Sequence, residues 1–266
     1  MAKALPVLMY HHVAPVPGLV TLAPAVFRQQ MERIARDGWQ TIGSEDLERF
    51  FAGQPLPAKS VMITFDDGYL DNFVHAHPVL EEFGQKAVLF VVTGWVGDGP
   101  VRSGPQSCPG HGECKRRIAA GDADSVILRW SEIEAMRSAG TFEFHSHTHS
   151  HTRWDQVLPD GEARREALAA DLDQSRRTLG ERLGRADSHL CWPQGYFQED
   201  YIPVAARIGF THLYTTVPHA NPVRGDASHI GRVVAKERGA GWLSRRLKIY
   251  SSSVLAGLYG GLKGRR

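Results

Sequence analysis

Strand-length apolar runs alternate with helix-period segments along most of this chain, and that alternation restricts the fold more than any other feature. PVLMYH (6–11), WQTI (39–42), SVMITF (60–65), AVLFVV (87–92), TFEFHSH (141–147), HLCWPQG (189–195) and HLYTTV (212–217) read as strands. HIGRVVA (229–235) reads as an eighth strand or an edge. Between them, Phe27, Met31, Ile34 and Ala35 make a helical stripe that Gly38 can end, and Ser44 is placed to cap a helix carrying Leu47, Phe50 and Phe51. Further helices are predicted through Phe73, Leu80 and Phe83, over 131–140, over about 160–183, and between the last two strands. Apolar strands recurring between helices belong to a parallel sheet covered on its faces, and seven or so such units predict an α/β closed or nearly closed barrel. With 266 residues, 42% of them hydrophobic, the chain can bury a core of that size. The rhythm breaks over about 94–128, a segment rich in Gly, Pro and polar residues. Its length predicts an insertion or a mobile lid near the site.

HSHTHSH (145–151) places four histidines on alternate positions. Two pairs, His145 with His149 and His147 with His151, have the i, i+4 spacing that puts both rings on one face at the start of a helix. That spacing predicts chelation, although an open catalytic site usually takes three protein ligands. A solvated His-rich loop is the plain alternative.

TFDDGY (64–69) supplies what the histidines lack. Two adjacent carboxylates at a strand end repel each other unless a cation lies nearby, and one can bind that cation while its neighbour faces the attacking water. Taken alone, Asp-Asp-Gly is also ordinary turn chemistry. His11, Asp66, Asp67, the histidine cluster and Trp192 all fall where a strand ends and its loop begins, the catalytic face of a parallel barrel.

TFDDGY followed about eighty residues later by H-[S/T]-x-x-H resembles the polysaccharide deacetylase family, the NodB-homology carbohydrate esterases. The resemblance covers roughly residues 5–235 and implies a distorted (β/α)7 barrel. It implies Asp66 as general base, with Asp67, His147 and His151 as ligands to one divalent ion. Zinc suits that set, and iron, cobalt or nickel also accept it. Glu143 and Ser146, placed as in family members, favour the later histidine pair.

In the third motif, CWPQGY (191–196), Cys191 stands where the family carries an arginine and Gln194 replaces an aromatic residue. The change implies either a weaker base or another partner for Asp66. The Trp-Pro-x-Gly form resembles the poly-N-acetylglucosamine deacetylase branch, where the barrel is circularly permuted and an N-terminal Tyr-His supplies the general acid. LMYHHV (8–13) matches, with His11 facing the site and His12 expected to point away. The resemblance also places Gln194, Trp192 and Tyr69 on the oxyanion or substrate side. It implies an N-deacetylase acting on a polysaccharide, oligosaccharide or lipid-linked glycan precursor. The alternatives are a weak glycan-binding relative and a metal-buffering protein.

The remaining expectations come from composition. A net charge of +2 gives no case for a nucleic-acid partner. The absence of a secretory pattern at the amino terminus and an odd count of three cysteines predict a cytoplasmic protein. Cys108, His111 and Cys114 in CPGHGEC offer a second metal site. Residues 1–240 read as the barrel and 241–266 as a tail. The stretch from Arg232 to Arg266, with nine Lys or Arg and one acid, reads either as a basic amphipathic helix contacting an anionic membrane or as a docked helix with a solvated basic face.

Overall fold

A computed structural model describes residues 1–263. Seven parallel strands form the main sheet: β1 (Val7–Tyr10), β2 (Ser60–Asp67), β3 (Ala87–Val91), β4 (Phe142–Ser146), β5 (His189–Cys191), β6 (His212–Tyr214) and β7 (Val233–Val234). Their spatial order is β6-β5-β4-β3-β2-β1-β7, so the last strand lies beside the first. Val233 pairs with Leu8, Leu8 with Ile63, and Phe65 with Leu89. The sheet curls into a half-barrel. Residues 230–234 span its open side, because Ile230 bridges to Tyr214 while Val233 pairs across to β1. Gln40–Thr41 adds a two-residue parallel pair at the start of β2, outside the set of seven.

All eight residues of β2 are buried, as a strand covered on both faces must be. Met62 packs in the lumen with Val7, Val88, Phe90 and Tyr214, whereas Ile63 and Phe65 pack outward with Phe27, Met31 and Ile34 of helix α1 (Pro24–Arg36). Gly38 (φ 73°) follows the end of α1 as expected. Helix α2 (Ser44–Phe51) begins one residue earlier than expected, with Gly43 at the cap position. Ser44 is therefore not the cap. Its N–H and Oγ–H donate to Glu143 Oε2 at 2.8 and 2.6 Å, so a carboxylate from β4 closes the helix start. Helix α3 (His77–Glu82) follows a π turn over Asn72–Ala76.

The 94–128 insertion is not structureless: it carries helix α4 (His111–Ala119), whose Cys114 is buried with Tyr69, Val126 and Ile127. Of the two readings of the basic tail, the docked helix is the one that fits. After α5 (Trp130–Ser138), α6 (Glu162–Leu183) and α7 (Tyr201–Ile208), helix α8 (Ala240–Tyr250) buries Leu243, Leu247 and Tyr250 in the core shared with α1. Helix α9 (Ser253–Lys263) exposes Val254, Leu255 and Leu258, and the tail's residues 264–266 lie outside the described residues. Among the described residues, no helix is long and apolar enough to cross a membrane.

Candidate active site

The strand ends of β1, β2 and β4 and the turn after β5 open into one cavity of about 650 Å³. Its wall concentrates unusual backbone: Val20, Asp67, His151 and Gln194 line it, and all four have positive φ without being glycine. Such conformations cost on the order of 1–3 kcal/mol each and persist where surrounding structure holds them, commonly at functional sites. At Asp67 the effect is direct. Neighbouring strand residues face opposite sides, and a φ of 74° re-aims Asp67 so that both carboxylates meet the same cavity.

Asp66 is clamped by an arginine that sequence reasoning missed. Arg232, fully buried, donates from Nη1 to Asp66 Oδ1 at 2.7 Å and from Nη2 to Oδ2 at 2.8 Å. Its Nε donates to the Thr215 carbonyl at 2.9 Å, and Nη2 lies 3.0 Å from Cys191 Sγ. Burial would raise the Asp66 carboxyl, but Arg232 foremost, with His11 and His147, outweighs it and holds the pKa below the ordinary value. The arginine absent at position 191 thus arrives from the segment that closes the barrel, and the small Cys191 side chain leaves it room. Arg232, which either reading of the basic stretch places on a charged surface, is instead wholly buried. The usable signal was its setting in HIGRVVA: an arginine inside a strand must find a buried carboxylate.

Asp67, His147 and His151 converge. Asp67 Oδ1 lies 3.3 Å from His147 Nε2 and 3.4 Å from His151 Nε2, and the three donor atoms fall within 4.8 Å of one another. No hydrogen-bond donor meets this buried oxygen. His147 Nδ1 is 2.8 Å from the Cys191 carbonyl, which fixes the tautomer and leaves Nε2 bare. A buried carboxylate oxygen and two imidazole nitrogens aimed at one point fit a divalent ion. The pair is not presented by a helix, as its spacing suggested. It comes from a loop in which Thr148 and His151 have φ of 66° and 58°. His145 and His149 go elsewhere: His145 Nδ1 lies 2.6 Å from Asp187 Oδ1, and His149 Nδ1 lies 2.9 Å from Thr93 Oγ1.

Comparison with known proteins follows from this geometry. The model of the polysaccharide deacetylase family matches residues 53–213. The chain belongs to the polysaccharide deacetylase family. It is 24% identical over 217 residues to YxkH of Bacillus subtilis, which carries a polysaccharide deacetylase name, covering 81% of this chain and 66% of that protein. It is 22% identical over 187 residues to the poly-beta-1,6-N-acetyl-D-glucosamine N-deacetylase of Staphylococcus aureus, covering 68% of this chain and 56% of that protein. The chain therefore spans between about half and two thirds of these relatives. Among solved structures, the deacetylase PplD of Streptococcus pyogenes superposes with a TM-score of 0.75 at 20% identity, covering 93% of this chain and 99% of that one. IcaB of Ammonifex degensii gives 0.72 at 25% identity, covering 94% and 97%.

Within this cavity, His11 Nε2 lies 3.8 Å from Asp66 Oδ2, and burial pushes its pKa down against the pull of Asp66 and Asp67. His12 does not line the cavity: it is buried behind it, stacks on Tyr69 at 3.7 Å, and its Nε2 lies 3.2 Å from His111 Nδ1. Tyr69 and Gln194 line the cavity, but Trp192 does not: it is buried against Phe197 and Tyr201 as core. The Cys108–His111–Cys114 group does not form a metal cluster among the described residues. Cys114 Sγ turns to the Pro109 carbonyl, His111 turns to His12, and both cysteines are unpaired, buried thiols with raised pKa values. Glu48, His189 and His212 bring donors together on another part of the barrel. There the two rings stack at 4.6 Å and 16°, so their in-plane lone pairs run side by side rather than to one point.

Proposed function

We propose that this polysaccharide deacetylase is a metal-dependent hydrolase that removes acetyl groups from an N-acetylated sugar in a polysaccharide, oligosaccharide or lipid-linked glycan. The observation that carries this reading is the unpartnered Asp67 Oδ1 facing His147 and His151, beside an Asp66 whose two oxygens both accept from Arg232. Asp67, His147 and His151 would hold the ion, with zinc first and iron, cobalt or nickel also compatible. When bound, such an ion supplies Lewis acidity and lowers the pKa of the attacking water. Asp66, kept ionised by Arg232, accepts that water's proton. His11 is the donor to the departing amine. Because burial keeps its ring neutral at rest, its proton arrives during the reaction, and Asp66 at 3.8 Å is the nearest source. The turn at Gln194 faces the developing oxyanion.

A weak glycan-binding relative was favoured only by the missing arginine, and Arg232 removes that ground. Acetate release from a panel of N-acetylated sugars, oligosaccharides and lipid-linked glycans tests the proposal. Asp66→Asn should keep the ion and lose turnover by at least about a hundredfold, whereas His147→Ala should lose both. Near-normal turnover in Asp66→Asn contradicts its role as base.

A further inference from the structure

The inserted segment brings a fourth imidazole to the cavity, beside His11, His147 and His151. His111 opens helix α4 and lines the cavity together with Ile118 and Ala119 of the same helix. It is held from behind by a buried chain of groups. Asp71 accepts from the Val13 N–H at 3.0 Å and from Asn72 Nδ2 at 2.9 Å, and its second oxygen lies 2.5 Å from His12 Nδ1. A carboxylate among donors holds a proton on His12 Nδ1, and with the His12 ring neutral its Nε2 is the acceptor 3.2 Å from His111 Nδ1. His111 Nδ1 therefore carries the proton, and Nε2, the ring nitrogen left for a ligand, is bare.

The backbone under His111 is also fixed. A side-chain carbon on Gly110 would meet Val16 Cγ1 at 3.1 Å, and one on Gly18 would meet the His111 nitrogen at 3.7 Å. The loop before α1 and the start of α4 thus pack as one wall. A bare imidazole nitrogen accepts hydrogen bonds, and sugar hydroxyls donate them.

We propose that His111 is a substrate-positioning residue, whose Nε2 accepts a hydrogen bond from a hydroxyl of the N-acetylated sugar while Asp71 and His12 fix its tautomer. This rests on the deacetylase reading and adds a hydroxyl-binding subsite built by the insertion. Ile118 and Ala119 offer the apolar surface that a pyranose face takes beside that contact.

The test compares wild type, His111→Ala and His111→Gln on two probes: an oligomer of β-1,6-linked N-acetylglucosamine and 4-nitrophenyl acetate, which has no sugar hydroxyl. His111→Ala should lower kcat/KM for the oligomer about tenfold, mostly through KM, with aryl-ester turnover and metal content unchanged. His111→Gln, which restores an acceptor, should recover most of the loss. The proposal is overturned if the oligomer is turned over within twofold of wild type by His111→Ala, or if both probes fall together. Where another N-acetylated glycan is the one turned over, it replaces the oligomer as the probe; if wild type hydrolyses the ester but releases no acetate from any N-acetylated sugar, oligosaccharide or lipid-linked glycan, the deacetylase reading fails and takes the subsite with it. Loss confined to His111→Ala isolates the subsite from that reading.

Discussion

Arg232 shows how far a single side chain can travel from its expected role. It meets Asp66 through both Nη atoms, a fork that lysine's single ammonium cannot reproduce. Removing the charge altogether would leave Asp66 buried and unpaired, at a cost of about 3–5 kcal/mol. Arg232→Lys is the more informative change. Turnover should fall about ten- to a hundredfold with metal content intact. Because the guanidinium holds the Asp66 pKa down, weakening it should move the acid limb of kcat/KM to higher pH. An unshifted acid limb would show that Asp66 is not the group titrating there. At this scale the sequence was most legible where residues are adjacent: Asp66, Asp67 and the histidine segment announce themselves by spacing. Arg232 comes within 2.7–2.8 Å of Asp66 and 3.0 Å of Cys191 only through barrel closure, which no local pattern encodes.

Strands were read well because buried parallel strands are continuous apolar runs; turns were read less well because side chains compete there with the backbone. The histidine segment is the clearest case. Ser146 Oγ accepts the Thr148 N–H at 3.1 Å and Thr148 Oγ1 accepts the His151 N–H at 3.0 Å, local bonds that replace the helix its i, i+4 spacing suggested. The Pro193–Gly195 turn is built as tightly. Gly195 has φ 68°, and a Cβ there would lie 2.2 Å from Thr216 side-chain atoms. Gly195→Ala should therefore destabilise the fold by more than about 1 kcal/mol and displace Gln194 from the cavity wall, reducing turnover. Adding Thr216→Gly should relieve the clash but not the left-handed strain, so recovery measured by thermal unfolding should be partial. Full recovery would mean that the backbone conformation carries no cost.

Across the whole molecule, the proposed catalytic groups gather at the strand ends, while His145 on β4, His189 on β5, Glu48 on α2 and Asp187 just before β5 form a separate polar cluster. His189 is buried between His145 and His212, and burial first, then His145, lowers its pKa from 6.5 to about 4. The unfolded chain therefore binds more protons than the fold between these values. Stability should fall as pH drops from about 6.5 to about 4 and should gain nothing from His189 above that window. Denaturant unfolding across this range should show the slope, and His189→Gln should flatten it; an equal slope in the variant would place the proton uptake on another group. Topology and site were legible together because a parallel barrel puts its chemistry on one rim, and the insertion was legible only as an interruption, since nothing in its composition foretold α4 or the partner of His111.

The central claim is that Asp67, His147 and His151 hold one catalytic ion for an N-deacetylase. Its most direct test is acetate release from a panel of N-acetylated sugars, oligosaccharides and lipid-linked glycans by chelated protein as zinc is titrated back. The rate should rise from near zero and saturate at about one ion per chain. Acetate release that survives chelation, or none at any zinc, iron, cobalt or nickel loading, would contradict it.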